Sequence, residues 1–596
     1  MGFMSPSDPP FEIEEWRQRP YRERLKPLAQ DWAVNGIGVP QAVYLLYIVK
    51  LIIFTGGGLL LISATSDLGG LSKIGDWWTE PVVFQKAVVW TMLWEAIGLG
   101  AGSLPLTLRF SPMVGGFLHW LRPGTIRQPP WPGKVPLTGG DTRTIFDVIL
   151  YAGLLISMLD LLIRSGTDGF NPVTVAVLLA FLVLLGLRDK VPFLAARAEV
   201  YGPFLIIFLF PADQMIVAAQ FVMFCIWWGA AASKLNRHFP FVVTVMISNT
   251  PWNRSRWAKR KLYKDHPQNL LPSKVGEFSA HFGTVLEFTL PLILIASSGG
   301  TIGWIAVAGM VIFHVHILST FPLAVPLEWN IFMIFSIFFL FGHYGDVPLS
   351  TLDDPLLIAC LLPIIVGMPI LGNFRPDLIS FLPSMRYYAG NWATSQWYFR
   401  RDKGSEAKLD EHITKAAKTL PVQLAKFYEP EMNEVLLHKG LAFRSMHTHG
   451  RALVGLADRA VDDVENYDVR EGETVSGVIC GYNFGDGHFH NEKLLASVQA
   501  RVGYEPGELR VVTLESQPAG NPHQRYRIFD AADGLIEEGT VKVTDMVVRQ
   551  PWLGTGEVFP VEPDGGSVTA QGDPPPSGSA QPGGGPVANR ADGGPS

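Results

Sequence analysis

The segment VMFCIWWGAAASKLNRH, residues 222–238, is an apolar helical pattern that ends in Lys234 and runs directly into a basic loop. Three further apolar segments follow up to residue 345, and between them they carry Glu277, His281, Glu287, His314, His316, Glu328 and His343. Ionisable groups inside lipid are costly and mark a functional path or site. Residues 222–345 therefore read as the functional core of a multi-pass membrane protein.

Composition points the same way. The 596 residues are only 17% charged and include 17 Trp and 36 Phe, with a mean hydropathy of +0.21, more apolar than a soluble domain. The formal charge of -6 arises in the C-terminal part, the first 403 residues being locally basic, and no nucleic-acid partner is implied. Cys225, Cys360 and Cys480 lie far apart, which suggests neither a disulfide framework nor a thiolate zinc site. The opening MGFMSPSDPPFEIEEWRQRP has no apolar core behind a basic leader, so the first apolar segment is expected to do the targeting.

A span needs ~20 mostly apolar residues, which predicts helices near 41–63, 82–103, 144–163, 172–187, 214–233, 276–297, 299–320, 329–345 and 355–372. The short run 201–211 (YGPFLIIFLFP) reads as a half-helix, a re-entrant segment or the opening of a bent span. Loops 104–143, 188–199 and 234–275 are rich in Lys and Arg, whereas 64–81 and 164–171 are nearly free of them. The positive-inside rule puts the basic loops, and the arginines of segment 1–38, in the cytoplasm. Parity then makes 201–211 a membrane element and gives about ten helices in the plasma (inner) membrane, with both termini cytoplasmic. Segment 112–135 reads equally as an interfacial element, with Trp120 and Trp131 at headgroup depth, or as a plain loop.

The expected organisation is an N-terminal cytoplasmic segment (1–38), a transmembrane domain (39–375), a membrane-surface connector (376–404), a soluble cytoplasmic α+β domain (405–561) and a disordered Gly/Pro-rich tail (562–596). Residues 380–402 mix aromatics with Arg as a surface helix would, and 405–440 have helical spacing. From 470, ETVSGVICGYNF, GELRVVTLES and RYRIFDAADGLIEEGTVKVTDMVV read as strands, the last closing a hairpin around Ala532-Asp533-Gly534.

Several residues are candidates for chemistry. Lys50 and Glu95 fall at similar depth and suit an intramembrane ion pair, more structural than catalytic. Lys234, with His238 one turn on, is either a snorkelling lysine or an amine whose partial burial makes it a usable base. Glu277 and His281, four apart, share a helix face, so a carboxylate could orient the imidazole. Of His314 and His316 only one can face a given interior site, and each lone histidine also fits a hydrogen-bonded interhelical contact. Two HxH pairs, His447/His449 and His488/His490, would each point one way along a strand and suit a divalent metal ion, with Asp486 and Glu492 beside them. Surface or hydrogen-bonded histidines are the alternative.

The succession AAASKLN (230–236), AHFGTVLEFTLPLILI (280–295) and VIFHVHILSTFPLA (311–324) resembles the membrane core of vitamin K-dependent gamma-carboxylase and its horizontally transferred transmembrane relatives. The whole chain also resembles an uncharacterised actinobacterial transmembrane family. The first resemblance implies Lys234 as a general base acting on a quinone, with His281 and His314 as partners and a menaquinone-type quinone as cofactor. The match departs after Lys234-Leu235, where Asn236-Arg237-His238-Phe239-Pro240 stands instead of an acidic residue and Trp-x-x-Gly, and protein-glutamate carboxylation is not expected. The reading is thus an uncertain enzyme of carboxylase-like type acting on an apolar quinone or membrane lipid. A non-catalytic cell-envelope transporter component or scaffold is the alternative.

Overall fold

The computed structural model describes residues 2–100, 117–320, 327–413, 418–554 and 556–564. It is mostly helical, with a sheet-containing region towards the C-terminus. Six helices are long and apolar enough to cross a membrane: Gln41–Thr65, Ile145–Ile163, Ala212–Ser233, Lys274–Ala296, Gly300–Leu318 and the bent Pro355–Phe374. Their starts follow from local chemistry. Thr144 and Asp147 form a reciprocal capping box, Ser273 caps Val275 and Gly276, and Asp354 caps Leu356 and Leu357. Outward faces are apolar, as lipid requires: Ile52, Ile156, Ile305 and Ile312 are all more than half exposed.

Shorter apolar helices complete the bundle: Pro172–Arg188, Ala198–Ile207, Phe239–Asn249 and Leu327–His343, the last ending in a π-helical stretch from Ile337. The span expected at 82–103 is Pro81–Ala96, closed by a turn, and residues 101–116 lie outside the described residues. Ala198–Ile207 rises only ~15 Å. Tyr201, Phe204, Leu205 and Ile207 bury it against protein, which removes the need to match lipid thickness.

The loops group at two opposite ends. At one end Tyr344 donates to Thr79 O at 2.9 Å, Gln214 to Asp353 at 3.1 Å and Lys86 to Arg164 O at 2.9 Å. At the other end the loops reach the sheet region: Gln128 to Phe489 O and Lys190 to His488 O, both 2.8 Å, Arg501 to Asp141 at 2.8 Å, and His238 to Thr448 at 2.6 Å.

Beyond a small hairpin, β1 (Tyr263–Asp265) with β2 (Asn269–Pro272), the strands are β3 (Thr394–Arg400), β4 (Tyr467–Glu471), β5 (Leu509–Leu514), β6 (His523–Asp530), β7 (Gly534–Lys542) and β8 (Glu562–Pro563). They form one antiparallel sheet in the order β4-β3-β5-β6-β7-β8. The β6–β7 hairpin closes with Asp530 opposite Gly534. Helices Tyr21–Asn35, Pro430–Met446 and Thr448–Ala460 pack together beside it, and Trp32, Leu25, Leu441, Leu456, Val512 and Ile528 share one core.

Two expectations are corrected here, and two further segments find their packing partners. Residues 394–400 are not part of a surface helix or connector but a strand inside the sheet; Trp397, Tyr398 and Phe399 are all fully buried, and a strand buried on both faces has no alternation to betray it. ETVSGVICGYNF is not a strand but contains the helix Gly472–Cys480, started by the Glu471 side chain on Thr474 N and ended by Gly481 at φ 86°. Segment 1–38 packs on the sheet region: Trp32 donates to Lys439 O at 3.1 Å and Lys439 pairs with Asp31 at 2.9 Å. Within segment 112–135 the Trp120 indole is wholly buried and donates to Cys480 O at 3.0 Å, while Trp131 is exposed. Residues 414–417 of the expected helical stretch, and 565–596 of the expected tail, lie outside the described residues.

Candidate functional site

Helix Ala212–Ser233 ends at Lys234. Its ammonium group turns inward, pairs with Glu287 and stands 5.7 Å from the centre of the Phe239 ring. Both partners are buried, Lys234 at 7% and Glu287 at 4% exposed. Glu287 belongs to the inward stripe Gly276, Ala280, Thr284, Glu287, Pro291, Leu294 of helix Lys274–Ala296, a 3- and 4-residue spacing. Glu277 and His281 do share a helix, but they lie off this stripe and are exposed on the outer side. The structure therefore does not bring them to Lys234, and Glu287 occupies the place expected of them.

His314 is buried and His316 exposed. Trp227 donates to His314 Nε2 at 3.0 Å, and His314 Nδ1 lies 2.9 Å from Asn330 Oδ1. An indole N–H can only donate, so Nε2 carries the lone pair and Nδ1 the hydrogen. The imidazole is a neutral tautomer with both nitrogens engaged.

Asn330 lies on helix Leu327–Ser336, and Glu328, about 200° around the same helix, faces a second buried cluster. Lys50 contacts Glu328 Oε2 at 3.2 Å. The expected Lys50–Glu95 pair is thus replaced by Lys50–Glu328, with Glu95 buried alongside. Arg197 pairs with Glu199 at 2.7 Å, and its guanidinium lies 4.2 Å from the Trp329 ring, 5.6 Å from Tyr387 and 5.7 Å from Phe484. Phe484 belongs to the sheet region, so this cluster spans the seam between the two parts.

The HxH pairs are not on adjacent strands. His447 precedes helix Thr448–Ala460 and His449 lies in its first turn; His488 is in a 3-10 turn with His490 just after it. His447 and His449 flank the Trp392 ring at 5.7 and 4.9 Å. His490 Nδ1 meets Ser395 Oγ at 2.6 Å, and His488 meets Glu515 at 2.9 Å. Asp486 accepts from His488 N at 3.0 Å, and Glu492 pairs with Arg527. Burial holds the imidazole pKa values of His447 and His490 down to about 3, with Arg444 also lowering both. Among the described residues no three His, Cys, Asp or Glu side chains converge as a metal site would require. His447 and His449 stack on each other at 5.7 Å, while His488 and His490 turn to different partners, Glu515 and Ser395.

Two openings lie near these groups. A cleft of about 370 Å³, lined by Ser233, Leu235, Asn236, Gln517 and Asn521 among others, lies where the chain turns around Lys234. A second, of about 490 Å³, lies between the N-terminal helices and the sheet region, with Arg17, Arg24, Arg401 and Arg470 on its wall. Each of these arginines already has a carboxylate partner.

Glu287, Glu328, Arg197 and Glu199 escaped selection from the sequence. The two glutamates were visible as acids within apolar runs, but their partners are 53 and 278 residues away. Arg197 and Glu199 merged into a basic loop.

Fold and site together define a multi-pass membrane protein with a sheet region built onto one face. A family model described as transmembrane protein of unknown function (DUF3556) matches residues 1–564, and the chain belongs to that family. No curated protein and no solved structure matches it.

Proposed function

We propose that the protein is a membrane enzyme in which the Lys234–Glu287 pair exchanges a proton with an apolar substrate, a quinone or a lipid, at the sheet-bearing side of the membrane. The observation that carries this reading is the burial of a lysine–carboxylate pair beside the opening lined by Ser233 and Leu235. A buried ammonium–carboxylate pair can pass a proton to, or take one from, a substrate group that reaches it. Of the residues implied by the carboxylase resemblance, Lys234 and His314 support the reading, and Glu287 takes the part given to His281 and Glu277. A menaquinone-type quinone fits this chemistry as substrate or cofactor. The cationic loops join the sheet region at one end of the bundle, which supports about ten crossings with that end and both termini cytoplasmic, in the plasma membrane.

The test compares lipid extracts of the detergent-purified wild type, Lys234→Ala and Lys234→Met/Glu287→Met by native mass spectrometry. The double variant removes both charges, so it keeps the fold while losing the base. A quinone or lipid chemically altered only by the wild type supports the enzyme; identical extracts from all three overturn it. One observation favours a scaffold or transporter component instead: Lys234 and His314 both have their hydrogen-bonding needs met within the bundle, as residues that only tie helices together would.

A further inference from the structure

Glu95 lies at the end of helix Pro81–Ala96 and is 3% exposed. The groups around it come from several elements: Lys50 from Gln41–Thr65, Glu328 from Leu327–Ser336, and Arg197 and Glu199 from the start of Ala198–Ile207. The Tyr201 ring and, across the seam, Tyr482 also face it. Of the two cations, Lys50 is taken by Glu328 at 3.2 Å and Arg197 by Glu199 at 2.7 Å. Among the described residues Glu95 forms no ion pair, and its Oε1 has no hydrogen-bond partner. A side chain begun on Gly100 would run into Glu95 Oε2 and stand 3.3 Å from Glu328 Oε1, so the two carboxyl groups come together at the Cα of Gly100.

Among the described residues, three carboxyl groups with two cations leave one charge unmatched. A buried group in that position neutralises itself by taking a proton, and two carboxyl groups sharing one site ionise in separate steps. Independently of the acidic grouping, Arg197 Nη2 is buried without a partner, so the cluster holds cationic hydrogen-bonding capacity that an ionised Glu95 would engage.

We propose that Glu95 and Glu328 form a proton-binding site, with the proton held on Glu95 while Glu328 remains paired with Lys50. Loss of the proton leaves a second carboxylate to compete with Glu199 for Arg197, whose guanidinium lies against Phe484 of the sheet region. Proton binding is thereby linked to the contact between membrane helices and sheet region. This inference is independent of the Lys234 reading.

Infrared spectroscopy of the full-length purified protein at neutral pH tests it. The wild type is expected to show the carbonyl stretch of a protonated carboxylic acid, shifted in D2O. Glu95→Gln should remove one component of that band, read in the wild-type-minus-variant difference spectrum above the contribution of Glu471, with the helical circular dichroism retained. Glu328→Gln should remove it as well, because Lys50 then pairs with Glu95 and ionises it. Glu95→Asp, the variant to use should the amide fail to fold, should keep an acid band at a displaced frequency. A wild type without the band, or a band unchanged in Glu95→Gln or in Glu328→Gln, overturns the proposal.

Discussion

Lys234 and Glu287 form a pair whose members stabilise the fold only together. Removing one leaves an uncompensated buried charge, which costs about 3–5 kcal/mol, whereas replacing both by apolar groups of similar volume is close to neutral. Lys234→Ala is therefore expected to lower the unfolding midpoint in detergent sharply, and Lys234→Met/Glu287→Met to restore most of it. Equal destabilisation in the two would show that the pair is not the unit described here. This part of the site was half legible in the sequence. Lys234 and His314 stand out because polar residues in apolar helices are expensive, but helical spacing shows only that Glu277 and His281 share a face, not which way that face points. The same limit applied to the HxH motifs, which read as strands yet form a helix start and a turn. Three buried histidines, His447 and His490 from these motifs and His438 from helix Pro430–Met446, make a second prediction. The imidazole pKa values of His438, His447 and His490 are held by burial at about 3, against an ordinary 6.5. The unfolded chain thus binds more protons than the folded one between those values, so the stability they contribute is present above pH 6.5 and is lost as pH falls towards 3. Glu471, raised by burial to about 7, Glu406, also raised by burial, and Glu95 with its proposed proton work in the opposite direction, while burial lowers the imidazoles of His238 and His449 as well. Tryptophan fluorescence, to which Trp392 beside His447 and His449 contributes, should report this loss on titration below pH 6.5. A signal and unfolding midpoint constant from pH 7 to 5 would contradict it.

β3 decides whether the sheet region exists. It lies between β4 and β5 and contributes five and six register pairs to them, so the sheet cannot close without it. A fragment starting at residue 405, the boundary that composition suggests, lacks this strand and the N-terminal helix Tyr21–Asn35 that covers part of the same core. Such a fragment is expected to aggregate or remain unfolded, judged by gel filtration and circular dichroism; a monomeric fragment with a cooperative transition would show that β3 is dispensable. The boundary misled because TSQWYFR reads as an aromatic, basic surface segment. Its neighbours in the sheet come from residues 467–471 and 509–514, and no local pattern announces a partner so distant. The β6–β7 hairpin was legible because its turn and both strands are contiguous.

At the scale of the whole molecule, the loops rich in Lys and Arg gather at the end of the bundle that carries the sheet region, and the loops poor in them gather at the other. The charge asymmetry of the sequence and the spatial grouping of the loops are independent, yet they divide the chain in the same way. Cytoplasmic retention of cationic loops then predicts the accessibility of two exposed positions, Asp168 at the far end and Lys264 within β1. Cys225 and Cys480 are buried and Cys360 is exposed, so a Cys360→Ser background leaves little intrinsic labelling. In that background Asp168→Cys should react with a membrane-impermeant maleimide on intact cells, and Lys264→Cys only after lysis. The reverse pattern would invert the molecule and place the Lys234 opening on the outer side. Labelling of both positions in intact cells would mean that the two loop groups do not lie on opposite sides of a membrane.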